Sequence, residues 1–104
     1  MIISTTEQVP GREVAEILGL IRGNTIRARH IGRDIMAGLR NLVGGEIAEY
    51  TKLMGESREQ ALDRMLEQAE TLGADAVICA RFTTSMVTTQ AAEILAYGTA
   101  VRLR

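Results

Sequence analysis

The sequence contains a single cysteine, Cys79, and a single histidine, His30. One cysteine cannot form a disulfide within the chain, so the hydrophobic core must hold the fold without a covalent cross-link. A structural zinc site needs about four ligands, usually cysteine and histidine at short spacings, whereas these two residues are far apart in the sequence. The composition therefore argues against a disulfide scaffold and against a Cys/His metal site within one chain.

Long apolar runs are also missing, and none approaches the roughly 18 residues that a membrane span requires. The N-terminus contains Glu7 and Pro10 and lacks the basic and apolar segments of a secretory signal. We therefore expect a cytoplasmic protein. Its 104 residues fit one domain, covering residues 1–104.

Charges are segregated along the chain although the formal net charge is only -1. Residues 21–45 contain five arginines and one aspartate, whereas residues 46–75 contain eight acids and three bases. The two blocks are expected to face each other within or between subunits, because complementary charge fixes orientation. The alternative is a nucleic-acid or anion surface, against which the sequence pI of about 5.8 counts.

Three segments have the composition of β-strands. Residues 13–27 are rich in Val, Ile, Leu and Thr and contain two glycines, which predicts a long strand or a bent pair. Residues 74–87 and 92–103 predict two more strands, joined by a hairpin at residues 88–91. Residues 2–4 are a candidate for a short extra strand.

Two segments have helical periodicity. Apolar residues recur at helical spacing from His30 to Val43, before Gly44 and Gly45. A second stripe runs from Glu46 to Gly73, and because it keeps its phase across Gly55 it predicts one continuous helix rather than two. The predicted fold class is thus α+β, a small three-stranded sheet packed with two helices in the order β-α-α-β-β.

A sheet of three strands has two open edges, and natural proteins normally pair, charge or cover such edges. Association between subunits at these edges is therefore expected. A closed ring satisfies every edge, which predicts a cyclic homo-oligomer.

Five residues are candidates for chemistry. Cys79 is predicted to be a small buried hydrophobe, or else a thiolate that binds a soft metal beside Arg81. His30 is predicted to be a solvated or interface residue, and in an oligomer Cys79, His30 or Glu93 from several copies could converge on a metal ion. Alternation places Cys79 on the face of Val77 and Arg81, and it places Glu93 and Tyr97 on one face of the last strand, where a hydrogen-bonded pair is expected.

Three runs of the sequence are similar to a known family: residues 33–46 (RDIMAGLRNLVGGE), 72–77 (LGADAV) and 93–101 (EILAYGTAV). Together they resemble the YbjQ family of uncharacterised bacterial proteins. The resemblance implies a dodecin-like subunit assembled into a homopentamer, and it brings a heavy-metal-binding label without a catalytic activity or a ligand set. The family more usually has Gly at the position of Cys79 and often Asn at that of His30, so neither residue carries over as a family ligand.

The leading hypothesis is a non-enzymatic, ring-forming protein that binds a small ligand, with a heavy-metal or transition-metal ion among the candidates, at subunit interfaces. One alternative is an enzyme whose active site lies between subunits, where Arg81, Glu93 and Tyr97 meet groups of a neighbouring chain. The other is an interaction scaffold that presents the basic first helix to a partner. No membrane partner is expected.

Overall fold

A computed structural model describes residues 1–28, 48–88 and 91–104. Within these residues the chain forms the strands β1 (Ile2–Ile3) and β2 (Val14–Ala28), the helix α1 (Ala48–Thr71), and the strands β3 (Ala76–Thr88) and β4 (Ala91–Leu103). The four strands form one sheet in the order β1-β3-β4-β2. Strand β1 runs parallel to β3, and the other neighbours are antiparallel.

The predicted fold class is wrong. The sheet is mixed and has four strands rather than three, because Ile2 and Ile3 pair with Ala76 and Val77 and so add a strand beside β3. The arrangement does not show the dodecin-like fold implied by the family resemblance. Within the described ranges there is one helix rather than two, and the predicted helix over residues 30–43 lies outside them.

The predicted long elements are confirmed. The segment predicted as a strand or a bent pair is the single strand β2, and the hairpin prediction corresponds to antiparallel pairing of β3 with β4. Helix α1 runs through Gly55 without a break, as the continuous stripe predicted. It ends at Thr71, two residues before Gly73, where the φ angle is 73°.

The end of α1 is fixed by two backbone hydrogen bonds. The amide of Gly73 donates to the carbonyl of Glu70, and the amide of Ala74 donates to that of Ala69. This is the Schellman arrangement, which needs a left-handed residue just after the helix and therefore favours glycine. The chain then turns directly into β3.

Helix α1 packs against β2 and β4 through buried residues at every fourth position. Ser57, Ala61, Met65 and Ala69 are all fully buried. Ala61 and Met65 lie on Gly23 of β2, where an added methyl group would come within 2.3 Å of both the Ala61 carbonyl oxygen and the Met65 amide nitrogen. The helix therefore approaches the sheet more closely than any residue larger than glycine allows.

Polar groups between α1 and β2 are paired with each other. The buried Thr25 hydroxyl donates to the Ser57 carbonyl at 3.2 Å, and the Ser57 hydroxyl donates to the Leu53 carbonyl at 2.9 Å. Arg27 donates to the Ser57 hydroxyl and to the Gln60 side chain at 2.9 and 2.7 Å. Arg27 of β2 thus faces the acidic helix, but it is held there by neutral hydrogen-bond acceptors.

Replacement of Gly23 by alanine tests this close approach. Because the new methyl group meets the helix backbone, we expect Gly23→Ala to lower the free energy of unfolding by about 3 kcal/mol. The measurement is urea denaturation at one fixed protein concentration. Gly55→Ala is the matched control, since its nearest neighbour is the end of the Arg58 side chain at 3.9 Å. That control should be stabilised by up to about 1 kcal/mol, and equal effects of the two variants would contradict the packing.

Candidate functional site

The face of the sheet opposite α1, here called the open face, carries the candidate ligand-binding residues. Residues of β2 and β4 on this face alternate with the buried residues that contact the helix. Leu20 is 69% and Ile26 57% exposed, so this part of the face is accessible in a single copy. The open face comprises Leu20, Arg22, Asn24, Ile26, Arg81, Thr83, Ser85, Glu93, Leu95, Tyr97 and Thr99.

Two arginines flank Tyr97 on the open face. In the register of the sheet, Tyr97 of β4 lies opposite Arg81 of β3 on one side and opposite Arg22 of β2 on the other. The guanidinium of Arg81 donates to the backbone carbonyls of Thr5 and Ala80, at 2.8 and 2.9 Å, which fixes its position. The row Arg22–Tyr97–Arg81 therefore sets two arginines and a phenol at neighbouring register positions, a composition that suits a small anionic ligand.

Glu93 does not pair with Tyr97. Four residues along a strand span roughly 14 Å, which is too far for a hydrogen bond between their side chains. The Glu93 carboxylate instead accepts a hydrogen bond from the amide nitrogen of Asn24 on β2 at 2.9 Å. The predicted hydrogen bond between Glu93 and Tyr97 is therefore wrong. Glu93 instead connects β4 to β2 through Asn24.

Cys79 lies at a break in the pairing of β3 with β4, between the paired residues Ile78 and Arg81. It has a φ angle of 54°, a conformation that side-chain-bearing residues adopt only at a cost. The half-buried side chain packs against an apolar cluster that includes Ile78 and Val101. Because of the extra residue, Cys79 lies on the side of Ile78 and Arg81, so the prediction that it shares a face with Val77 is wrong, whereas the shared face with Arg81 is confirmed.

Among the described residues, the candidate metal ligands are not brought together in a group. In residues 1–28, 48–88 and 91–104, no three His, Cys, Asp or Glu side chains come together in a group able to hold a metal ion. Cys79 is surrounded by apolar side chains, and His30 lies outside the described residues. The described residues of a single copy therefore do not fit a heavy-metal centre.

Arg22 and Asn24 are the residues of the open face that the sequence patterns did not single out. Alternation along β2 places both on the same face as Leu20 and Ile26, and this alternation can be read from the sequence alone. Their relation to Tyr97 and Glu93 depends on the register between β2 and β4, which are separated by more than 60 residues. Periodicity within one strand does not specify that register.

Comparison with known proteins gives a family for the whole chain. A family model described as "putative heavy-metal-binding" matches residues 1–104. The chain belongs to the YbjQ family. The family resemblance in the sequence is therefore confirmed, whereas the description names metal binding without naming ligands.

Relatives of high identity occur in archaea as well as in bacteria. The UPF0145 protein of Archaeoglobus fulgidus is 64% identical over 104 residues, covering 100% of this chain and 96% of the relative. The UPF0145 protein of Halorubrum lacusprofundi is also 64% identical, with 100% of both chains covered. That of Vibrio campbellii is 58% identical, with 99% of both covered.

A crystal structure of a protein of unknown function from Pediococcus pentosaceus, assigned to the DUF74 family, is similar in fold. The TM-score is 0.67 at 16% sequence identity, and the match covers 100% of this chain and 98% of the other. At this identity the likeness concerns the fold alone. No helix in the described residues is long and apolar enough to cross a membrane.

Substitutions at Cys79 test whether this position is constrained by its positive φ angle or by the thiol side chain. Cys79→Val should lower the free energy of unfolding by about 2 kcal/mol, because a β-branched residue fits a positive φ angle poorly. Cys79→Gly should stay within about 1 kcal/mol of the parent, since relief of strain offsets the lost packing. Chemical denaturation at a fixed protein concentration measures both. If Val were tolerated as well as Gly, the left-handed conformation at this position would be refuted.

Proposed function

We propose that this protein is a non-enzymatic homo-oligomer of the cytoplasm that binds a small anionic ligand on the open face, between subunits. The composition of that face supports the proposal. Exposed Leu20 and Ile26 lie on either side of Arg22 in the same strand, next to the Arg22–Tyr97–Arg81 row. A second copy that covers the two apolar side chains would enclose the arginines at the interface.

Burial of Leu20 and Ile26 at an interface would favour association of two copies. A fully buried Leu or Ile side chain is worth about 1.5–3 kcal/mol relative to an exposed one. Burial of arginines is unfavourable unless a negative group accompanies them. An interface that covers this row therefore calls for an anion, supplied by a ligand, and the ligand stabilises the assembly in turn.

The proposed number of subunits rests on the family resemblance, because the open edges of the sheet predict association without a subunit number. A homopentamer is the predicted assembly, and in a ring each copy uses two different surfaces for its neighbours. A metal ion at the interface is the competing ligand, and it requires donors such as Cys79 from more than one copy.

Native mass spectrometry of protein purified without chelator or affinity tag tests the ligand, together with elemental analysis of the same sample. We expect an oligomer that carries extra mass from a small anion. The combined variant Arg22→Gln, Arg81→Gln should lose that mass, whereas the control Arg58→Gln, on the exposed surface of α1, should keep it.

Two results would contradict this ligand. An oligomer free of extra mass in every preparation would remove the basis for a binding function. A metal at near-integral stoichiometry that disappears in Cys79→Ser would replace the anion by a metal ion. A monomer would overturn the proposed assembly itself.

The contact through the open face is tested by charge insertion. Leu20→Glu and Ile26→Glu should dissociate the assembly, because each puts a carboxylate into the apolar part of the interface. The fold of the protomer should persist, since both side chains are exposed in one copy. Sedimentation velocity measures the mass and circular dichroism the fold. Leu72→Glu is the matched control, because Leu72 is exposed at the end of α1, far from this face.

A further inference from the structure

The two outer edges of the sheet differ in how they are protected. An edge strand presents unpaired backbone amides and carbonyls, which form a template for a further strand. Natural proteins block such edges with charges, prolines, bulges or covering groups. In this sheet β2 forms one edge, and β3 forms the other beyond the short stretch that β1 covers.

The edge of β2 is blocked by α1. The backbone amide of Arg22 donates to the side chain of Gln68 at 3.0 Å, and Arg64 donates to the carbonyl of Asn24 at 2.6 Å. Both helix residues therefore occupy backbone groups that a further strand would need. Towards its start β2 has two register irregularities, between Val14 and Glu16 and between Ile17 and Gly19, which interrupt regular pairing.

Among residues 1–28, 48–88 and 91–104, nothing gives the edge of β3 comparable protection over residues 82–87. The carbonyl of Ser4 accepts a hydrogen bond from the amide of Ala80, and the carbonyl of Thr6 accepts one from the amide of Cys79. The N-terminal segment makes no further backbone hydrogen bond to β3 beyond Ala80 in the described residues. Residues 82–87 (FTTSMV) include no charge and no proline. Within the described part of the chain, no hydrogen bond reaches them from outside their ladder with β4.

The side chains along this edge are apolar and exposed. Phe82 is 51% exposed and Met86 74%, although both are on the side of the sheet where α1 lies. Their side follows from the register, which pairs Phe82 with Ala96 and Thr84 with Ile94, both buried beneath the helix. Helix α1 packs mainly on β2 and β4, which leaves Phe82 and Met86 accessible.

We propose that residues 82–87 of β3 pair with the same residues of a second copy, antiparallel and centred on Thr84. The short sequence is self-complementary in this register. Phe82 lies opposite Met86 of the second copy, Met86 opposite its Phe82, and Thr83 opposite its Ser85. Each contact therefore forms two aromatic–thioether pairs on the helix side and meets no like charge.

This pairing uses a surface different from the open face and does not depend on the ligand proposed above. A contact of a strand with its own copy is two-fold, so by itself it gives a dimer. Combined with ring contacts through other surfaces, it joins two rings, and a five-membered ring then becomes an assembly of ten copies. The mass of the assembly should be an even multiple of the protomer mass.

A disulfide across the two-fold axis tests the register. In Thr84→Cys on a Cys79→Ser background, the two new cysteines lie opposite each other, with Cα atoms about 4.5–5.5 Å apart. This separation falls in the range that a disulfide needs. Under mild oxidation most chains should become cross-linked dimers on a non-reducing gel. Glu59→Cys in the same background, at another exposed position, is the control and should stay largely uncross-linked.

A second variant covers the case in which Thr84→Cys disturbs the fold. Met86→Lys places a charge on the edge and should halve the native mass, with circular dichroism unchanged because Met86 is exposed. Leu72→Lys should leave the mass as it was. Cross-linking of Thr84→Cys no faster than the control, or an unchanged mass of Met86→Lys, would overturn the pairing. Retention of bound anion in Met86→Lys would then show that the ligand site is separate.

Discussion

The close approach of α1 to β2 at Gly23 determines how the sheet is covered. Because Gly23 has no side chain, the helix backbone lies directly on the strand, with Ala61 and Met65 fully buried against it. At this distance Arg64 and Gln68 reach across β2 and bind its outer backbone groups. The same placement leaves Phe82 and Met86 of β3 uncovered by α1. One glycine thus allows one edge of the sheet to be closed and leaves the other exposed.

The irregularity at Cys79 has an equally wide effect on β3. Cys79 and Ile78 lie on the same side, so every later residue of the strand changes face relative to strict alternation. Arg81 therefore lies opposite Tyr97 on the open face, and Phe82 lies on the helix side. Without the extra residue, Arg81 would point towards the helix and the two arginines would not flank Tyr97. Both the candidate ligand site and the free edge depend on this break.

The sequence was informative about elements and much less so about their relations. The continuous apolar stripe and Gly73 predicted α1, and the β-branched runs predicted three strands, because these signals are local. The candidate strand at residues 2–4 corresponds to β1, but a two-residue strand has too little pattern to predict that it pairs with Ala76 and Val77 in the same sheet. The break at Cys79 leaves no mark in alternation, and its φ angle of 54° is unusual for cysteine. Alternation placed Glu93 and Tyr97 on one face of the last strand, but their neighbours Asn24 and Arg22 depend on a long-range register.

The heavy-metal description of the family has to be reconciled with the conformation at Cys79. A φ angle of 54° is one that glycine adopts freely, and the family resemblance indicates that glycine is usual at this position. The backbone break is thus the feature that family members would share, and the thiol is an addition in this chain. A shared metal function cannot depend on an added thiol. If the family does bind metal ions, the common donors must be other groups, and in this chain the described residues of one copy do not bring three such donors together. Either several copies supply the ligands jointly, or the shared function rests on the sheet surface that the break creates.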